Sequence, residues 1–122
     1  MPEKKILLVD DNPRITAISS HLEQMGFKMF NALNGEKALE SIKLNRPSLV
    51  ILDMEMPGMD GLEVLTIIRS EYKDTKVFVF TSHGIAYRKK AEKIGIDHFF
   101  DKPFSPKISD RISPFTFFAV DY

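Results

Sequence analysis

The chain has 122 residues, 43% of them apolar and 28% charged, and its 17 Lys and Arg balance 17 Asp and Glu, so one compact domain spanning 1–122 with a real core is expected, with no global pull toward nucleic acid or an anionic membrane. The absence of cysteine excludes disulfides, thiolate catalysis and Cys-based metal sites. No apolar run approaches the ~20 residues of a membrane helix, and the run after Met1-Pro2-Glu3-Lys4-Lys5 is too short for a signal peptide; a soluble cytoplasmic protein is the expectation.

Lys5 to Val9 is a short β-rich run. Pro13 to Met25 carries Ile15, Ile18, Leu22 and Met25 at helical spacing; Pro13 suits a first helical turn, Asn12 or Asp11 an N-cap, and Gly26 a stop. Phe27 to Ala32 reads as a second strand. After the Asn34-Gly35 break, Glu36 to Leu44 reads as a helix with Ala38, Leu39 and Ile42 inward, closed by Pro47. Ser48 to Asp53 is a third strand, and its apolar run Leu49-Val50-Ile51-Leu52 belongs in a parallel sheet covered on both faces. Gly61 to Tyr72 is a third helix with Leu62, Val64, Leu65 and Ile68 apolar; Lys76 to Thr81 is a fourth strand. Ile85 to Ile94 is a basic-faced helix ending at Gly95, and Asp97 to Asp101 a fifth strand. Alternation of this kind predicts a doubly wound α/β sandwich. The end of the chain, 105–122, is atypical: Pro106 to Ile112 allows about two turns of helix, Pro114 stops it, and an aromatic segment from Phe115 to Tyr122 follows.

In open α/β sheets, ligands bind beyond the carboxyl ends of the strands, where strand order reverses. The strand ends here supply Asp10 and Asp11, Asp53, Thr81 with Ser82, and Asp101 with Lys102. Each has a plain reading on its own: helix caps for Asp10-Asp11 and Thr81-Ser82, turn chemistry for Asp53 and for Lys102-Pro103. Their joint occurrence, each at a strand end, favours a site. Three carboxylates at one edge repel unless a cation or a shared proton relieves them.

These residues carry a resemblance. Leu7-Leu8-Val9-Asp10-Asp11-Asn12, Asp53-Met54-Glu55-Met56-Pro57-Gly58-Met59-Asp60-Gly61, Thr81-Ser82 and Asp101-Lys102-Pro103-Phe104 are similar to the motifs of response-regulator receiver domains of two-component signalling, the family that includes the chemotaxis receivers. The similarity runs from about Lys5 to Phe104. It implies a flavodoxin-like sheet of five parallel strands in the order 2-1-3-4-5. It also implies that Asp53 accepts a phosphoryl group from a sensor histidine kinase or phosphotransfer protein. Mg²⁺ would be held by Asp11, Asp53 and the backbone carbonyl of Glu55, with Asp10 acting through water. Lys102 and Thr81 would contact the phosphoryl oxygens, and Thr81 with Phe99 would form the switch. Phe99 also has a plain reading as a core residue. The resemblance further implies a signalling switch that loses its phosphate by itself rather than a turnover enzyme, acting on a downstream output protein without direct contact to nucleic acid or membrane.

The chain departs from this pattern in places. The Glu55 side chain adds negative charge beside the acceptor and is expected to modulate loss of phosphate, or else points to solvent. His83, two residues after Thr81, suggests weak pH dependence or is an ordinary surface residue. The family closes with a long fifth helix; here it is expected to be short or irregular, and the segment that follows packs on the domain, forms a dimer contact or reflects a truncation. No effector domain is expected after Tyr122. Output is then expected through the fourth helix and fifth strand, a face that is also a candidate dimer contact, where Arg88, Lys89, Lys90 and Lys93 form either a basic patch or a solvated helix face. A hydrolase of the haloacid-dehalogenase type would need Asp-x-Asp ending the first strand, and a flavodoxin relative would need a Gly/Ser/Thr-rich phosphate loop there; neither is present. The remaining alternative is a phosphorylation-independent interaction domain of the same fold, against which the complete acceptor set argues.

Overall fold

The computed structural model describes residues 4–10, 15–54, 61–81 and 84–101. Along them strand and helix alternate: β1 (Lys5–Val9), α1 (Ile15–Gln24), β2 (Lys28–Ala32), α2 (Gly35–Asn45), β3 (Leu49–Asp53), α3 (Gly61–Glu71), β4 (Lys76–Thr81), α4 (Gly84–Ile94) and β5 (His98–Asp101). All strand pairs are parallel, in the order β2-β1-β3-β4-β5. This is the doubly wound sandwich expected, with the reversal of strand order between β1 and β3. Among the described residues no helix is long and apolar enough to cross a membrane. The proposed N-cap at Asp11 or Asn12, the inward side chains of Ile15 and Ile18, the fifth helix and the aromatic C-terminal segment lie outside the described set.

The period-two alternation of strand side chains divides the core into two layers. Leu7 and Val9, Val50 and Leu52, and Val77 and Val79 pack with Ala38 and Ile42 of α2, Val64, Leu65 and Ile68 of α3, and Ala91 of α4. The intervening Ile6, Leu8, Leu49, Ile51 and Phe78 pack with Leu22 of α1 and with Phe27. Right-handed crossovers explain this split: the β1-to-β2 connection runs opposite to the other three, so α1 covers one face and α2, α3 and α4 the other. β3, central and covered on both sides, is buried at every residue. Each fully buried Leu, Ile or Val there stabilises by about 1.5–3 kcal/mol.

Element ends are set locally. Asn34 caps α2: its extended backbone lets its Oδ1 accept from the Lys37 N–H at 2.8 Å. α1 ends where Gly26 takes φ +101°, a left-handed conformation that costs glycine nothing; the N–H of Phe27 then reaches back to the Leu22 carbonyl at 3.1 Å. Three strands, β2, β3 and β5, begin one residue later than the sequence suggests. Ser48 donates to the Lys5 carbonyl through both its N–H, at 3.0 Å, and its hydroxyl, at 3.1 Å. Asp97 donates its N–H to Val77 O at 2.9 Å, while its carboxylate accepts from Val77 N–H at 2.8 Å. In the latter case a side-chain oxygen takes the place of a main-chain rung.

Candidate functional site

β1 and β3 bring two acids to one edge of the sheet. Val9 pairs in register with Leu52, so Asp10 and Asp53 stand one step further along, level with each other. Asp10 continues the Ile6-Leu8 alternation and Asp53 continues Leu49-Ile51, which puts both on the same face. Neighbouring strands lie about 4.8 Å apart. Both residues are almost wholly buried, at 1% and 2% exposure. Asp10 is fixed by its own backbone, since its N–H donates to Ala32 O at 3.1 Å and adds a rung toward β2.

The polypeptide leaves this edge through Met54, also buried, and returns at Gly61, whose N–H donates to Met54 O at 3.2 Å. A Cβ on Gly61 would lie 2.5 Å from the Met54 Cα and 2.6 Å from the Asp53 carbonyl oxygen. Only glycine lets the start of α3 approach the end of β3 so closely, and this contact anchors the backbone that carries Asp53. Sequence reasoning placed Gly61 only as the first residue of the third helix; a glycine opening a helix was the available signal, but the approach it permits is non-local.

The other strand ends complete the edge. Asp53 pairs with Phe80, and Thr81, the last residue of β4, pairs with Asp101; Lys102 follows in the sequence. On β5, consecutive residues go to opposite faces. His98 meets the Phe78 ring edge-on, with centroids 5.3 Å apart, whereas Phe99 packs, half-buried, against the larger core layer. The Arg88 guanidinium lies 5.5 Å from the Phe99 ring centroid, a contact that sequence reasoning missed. Of the expected site residues, Asp10, Asp53 and Phe99 are described in full and Thr81 by its backbone. Asp11, Glu55, His83 and Lys102 lie outside the described set. Among the described residues no cluster of three or more metal-ligating side chains occurs; Asp10 and Asp53 are a pair of hard oxygen donors whose expected third member is Asp11.

Comparison with known proteins agrees with this arrangement. The family model for the response regulator receiver domain matches residues 6–111. Sporulation initiation phosphotransferase F of Bacillus subtilis is 33% identical over 94% of this chain and 95% of its own length. A probable transcriptional regulator, ycf27, of Cyanophora paradoxa is 39% identical over 86% of this chain, but the match spans only 44% of that regulator. Among solved structures, the response regulator TrrA of Thermotoga maritima, in complex with Mg²⁺ and a beryllium fluoride, superposes with a TM-score of 0.81 at 35% identity, covering 91% of this chain and 97% of that one. Chemotaxis protein CheY4 of Vibrio cholerae gives a TM-score of 0.83 at 28% identity, covering 94% and 99%. With the sheet order, the acid edge and the family model in agreement, the chain belongs to the response regulator receiver family of two-component signalling, whose members are phosphorylation-accepting switches.

Proposed function

We propose that Asp53 is the phosphoryl acceptor of this receiver, and the observation that carries the proposal is the pair of level, buried carboxylates, Asp10 and Asp53, at the strand-order reversal. Two acids buried side by side are tolerated only with compensating charge, hydrogen bonds or a shared proton. Their oxygens fit Mg²⁺, which binds through one or two carboxylates and keeps several waters. Asp11, Asp53 and the Glu55 carbonyl would hold the ion, with Asp10 behind water. When bound, Mg²⁺ neutralises the carboxylates and screens the charge on the transferring group.

A carboxylate oxygen of Asp53 attacks the phosphorus of a phosphohistidine on a sensor kinase or phosphotransfer protein. The P–O bond forms as the P–N bond breaks, and the imidazole nitrogen leaves with the electron pair. Lys102 pairs with the phosphoryl oxygens and the Thr81 hydroxyl donates to one of them. Phe99, whose register partner Val79 lies two residues before Thr81, follows Thr81 inward. Water later hydrolyses the acyl phosphate; the Glu55 carboxylate modulates that step, and His83 gives it weak pH dependence. Output runs through the α4 and β5 face to another protein or a second copy of the chain.

Incubation with Mg²⁺ and acetyl phosphate, followed by intact mass measurement, tests this. One labile phosphate on the wild type and none on Asp53→Ala is expected. No adduct under any Mg²⁺ concentration would favour a phosphorylation-independent interaction domain.

A further inference from the structure

We infer that Arg88 is a positioning residue for Phe99, holding its ring in the outward position and thereby setting how readily the domain switches. The inference rests on the switch role proposed above for Thr81 and Phe99.

Phe99 is not a sealed core residue. Its inner side packs against the apolar layer beneath α4, and its outer side borders an open groove between α4 and β5, about 480 Å³ in volume. Arg88 also lines that groove, with its guanidinium 5.5 Å from the ring centroid. The guanidinium is itself steered from one turn along α4, where the Glu92 carboxylate lies 3.5 Å from Arg88 Nε. Glu92 thus lies beside the cation on the helix surface, and the cation lies over the ring. Such a contact attracts through the ring quadrupole, and an arginine plane stacks where a lysine would act only as a point charge.

An inward ring position next to Thr81 gives this contact up. Arg88 therefore stabilises only one of the two states, and a group that favours one state shifts the equilibrium by its differential interaction alone. By linkage, whatever binds the inward state must work against Arg88. A cation–π contact of about 0.5–1 kcal/mol at an exposed site corresponds to a factor of about 2–5 in that equilibrium. The sign is diagnostic. As a nearby positive charge, Arg88 would help an anion bind, and its loss would weaken binding; as a clamp on Phe99, its loss strengthens binding.

The test is calorimetric titration of the full chain with Mg²⁺ and beryllofluoride, a mimic of the aspartyl phosphate. Arg88→Ala and Arg88→Gln are expected to bind about 2- to 5-fold more tightly than wild type, and the gain should vanish in a Phe99→Ala background. A fluorine label on the Phe99 ring should shift, in the ligand-free variants, toward its position in the saturated wild type. Unchanged or weaker binding in both variants, or a gain that survives Phe99→Ala, overturns the inference. No binding by the wild type would instead sink the acceptor reading itself.

Discussion

A Cβ on Gly61 would come within 2.6 Å of the Asp53 carbonyl oxygen, so the first residue of α3 and the last of β3 touch backbone to backbone with no room for a side chain. Both neighbours are main chain or buried Met54, so neither can swing aside as a flexible side chain would. Gly61→Ala is therefore expected to destabilise by about 1–3 kcal/mol through overpacking, despite the ~1 kcal/mol by which Ala favours a helix over Gly. It should also move Asp53. A misplacement of about 1 Å can cost ~10²-fold in rate, so phosphorylation by acetyl phosphate should slow at least tenfold at a temperature where the variant stays folded. Urea denaturation and timed mass measurement check both. A variant as stable and as fast as wild type would refute the anchoring role.

Metal dependence should be visible in stability before any chemistry. An ion that binds the folded acid edge and not the unfolded chain stabilises by about 2.7 kcal/mol at 100 times its Kd. The melting temperature is expected to rise with Mg²⁺ and to return on chelation. Asp53→Asn removes one of two like charges buried at the same edge, so in metal-free buffer it should be at least as stable as wild type, and it should lose most of the Mg²⁺ response. Thermal melts across a Mg²⁺ series decide this; an equal response in wild type and Asp53→Asn would remove Asp53 from the metal site.

The acid edge was legible because two local signals determine it. The buried run Leu49-Val50-Ile51-Leu52 requires a doubly covered strand that ends in Asp53, as Ile6-Leu7-Leu8-Val9 ends in Asp10; that the two acids share a face follows only from the register of β1 on β3. Strand ends blurred where side chains do main-chain work, as Ser48 and Asp97 do. The closeness of Gly61 to Asp53 and the stacking of Arg88 on Phe99 were not legible, because each depends on how a helix is set against the sheet. In sequence, Arg88 is indistinguishable from its basic neighbours Lys89 and Lys90.

Asp97 should prove a stability residue rather than a functional one. Its Oδ2 accepts from Val77 N–H at 2.8 Å and from Arg69 Nη2 at 3.3 Å, while Arg69 Nε donates to Gly95 O at 2.7 Å. The cluster ties the end of α3 to the starts of β4 and β5, at the opposite end of the sheet from Asp53. Asp97→Ala leaves the part-buried Val77 N–H without its acceptor and should cost about 1–3 kcal/mol. Asp97→Asn keeps an accepting oxygen and should cost less. Phosphorylation rates should be unchanged in both. Urea denaturation beside the mass assay tests the pair; a rate loss without a stability loss would contradict the assignment.

Arg46 and Tyr72 set two opposing terms against each other. Arg46 ends α2 at φ 49°, the left-handed region, and its N–H donates to Ile42 O at 3.0 Å. A side chain in that conformation costs roughly 1–2 kcal/mol relative to Gly. The Arg46 guanidinium, however, lies 5.0 Å from the Tyr72 ring centroid, a contact of about 0.5–1 kcal/mol at an exposed site. Arg46→Gly relieves the backbone and loses the ring contact, and a more flexible unfolded chain offsets part of the relief. Its net effect should therefore stay within about 0.5 kcal/mol of zero. In a Tyr72→Ala background there is no ring contact to lose, so the same substitution should stabilise, by about 0.5–1 kcal/mol more than in wild type. A urea denaturation cycle over the four proteins measures this difference directly. Equal effects of Arg46→Gly in both backgrounds would mean that the ring contributes nothing and that helix termination alone accounts for Arg46.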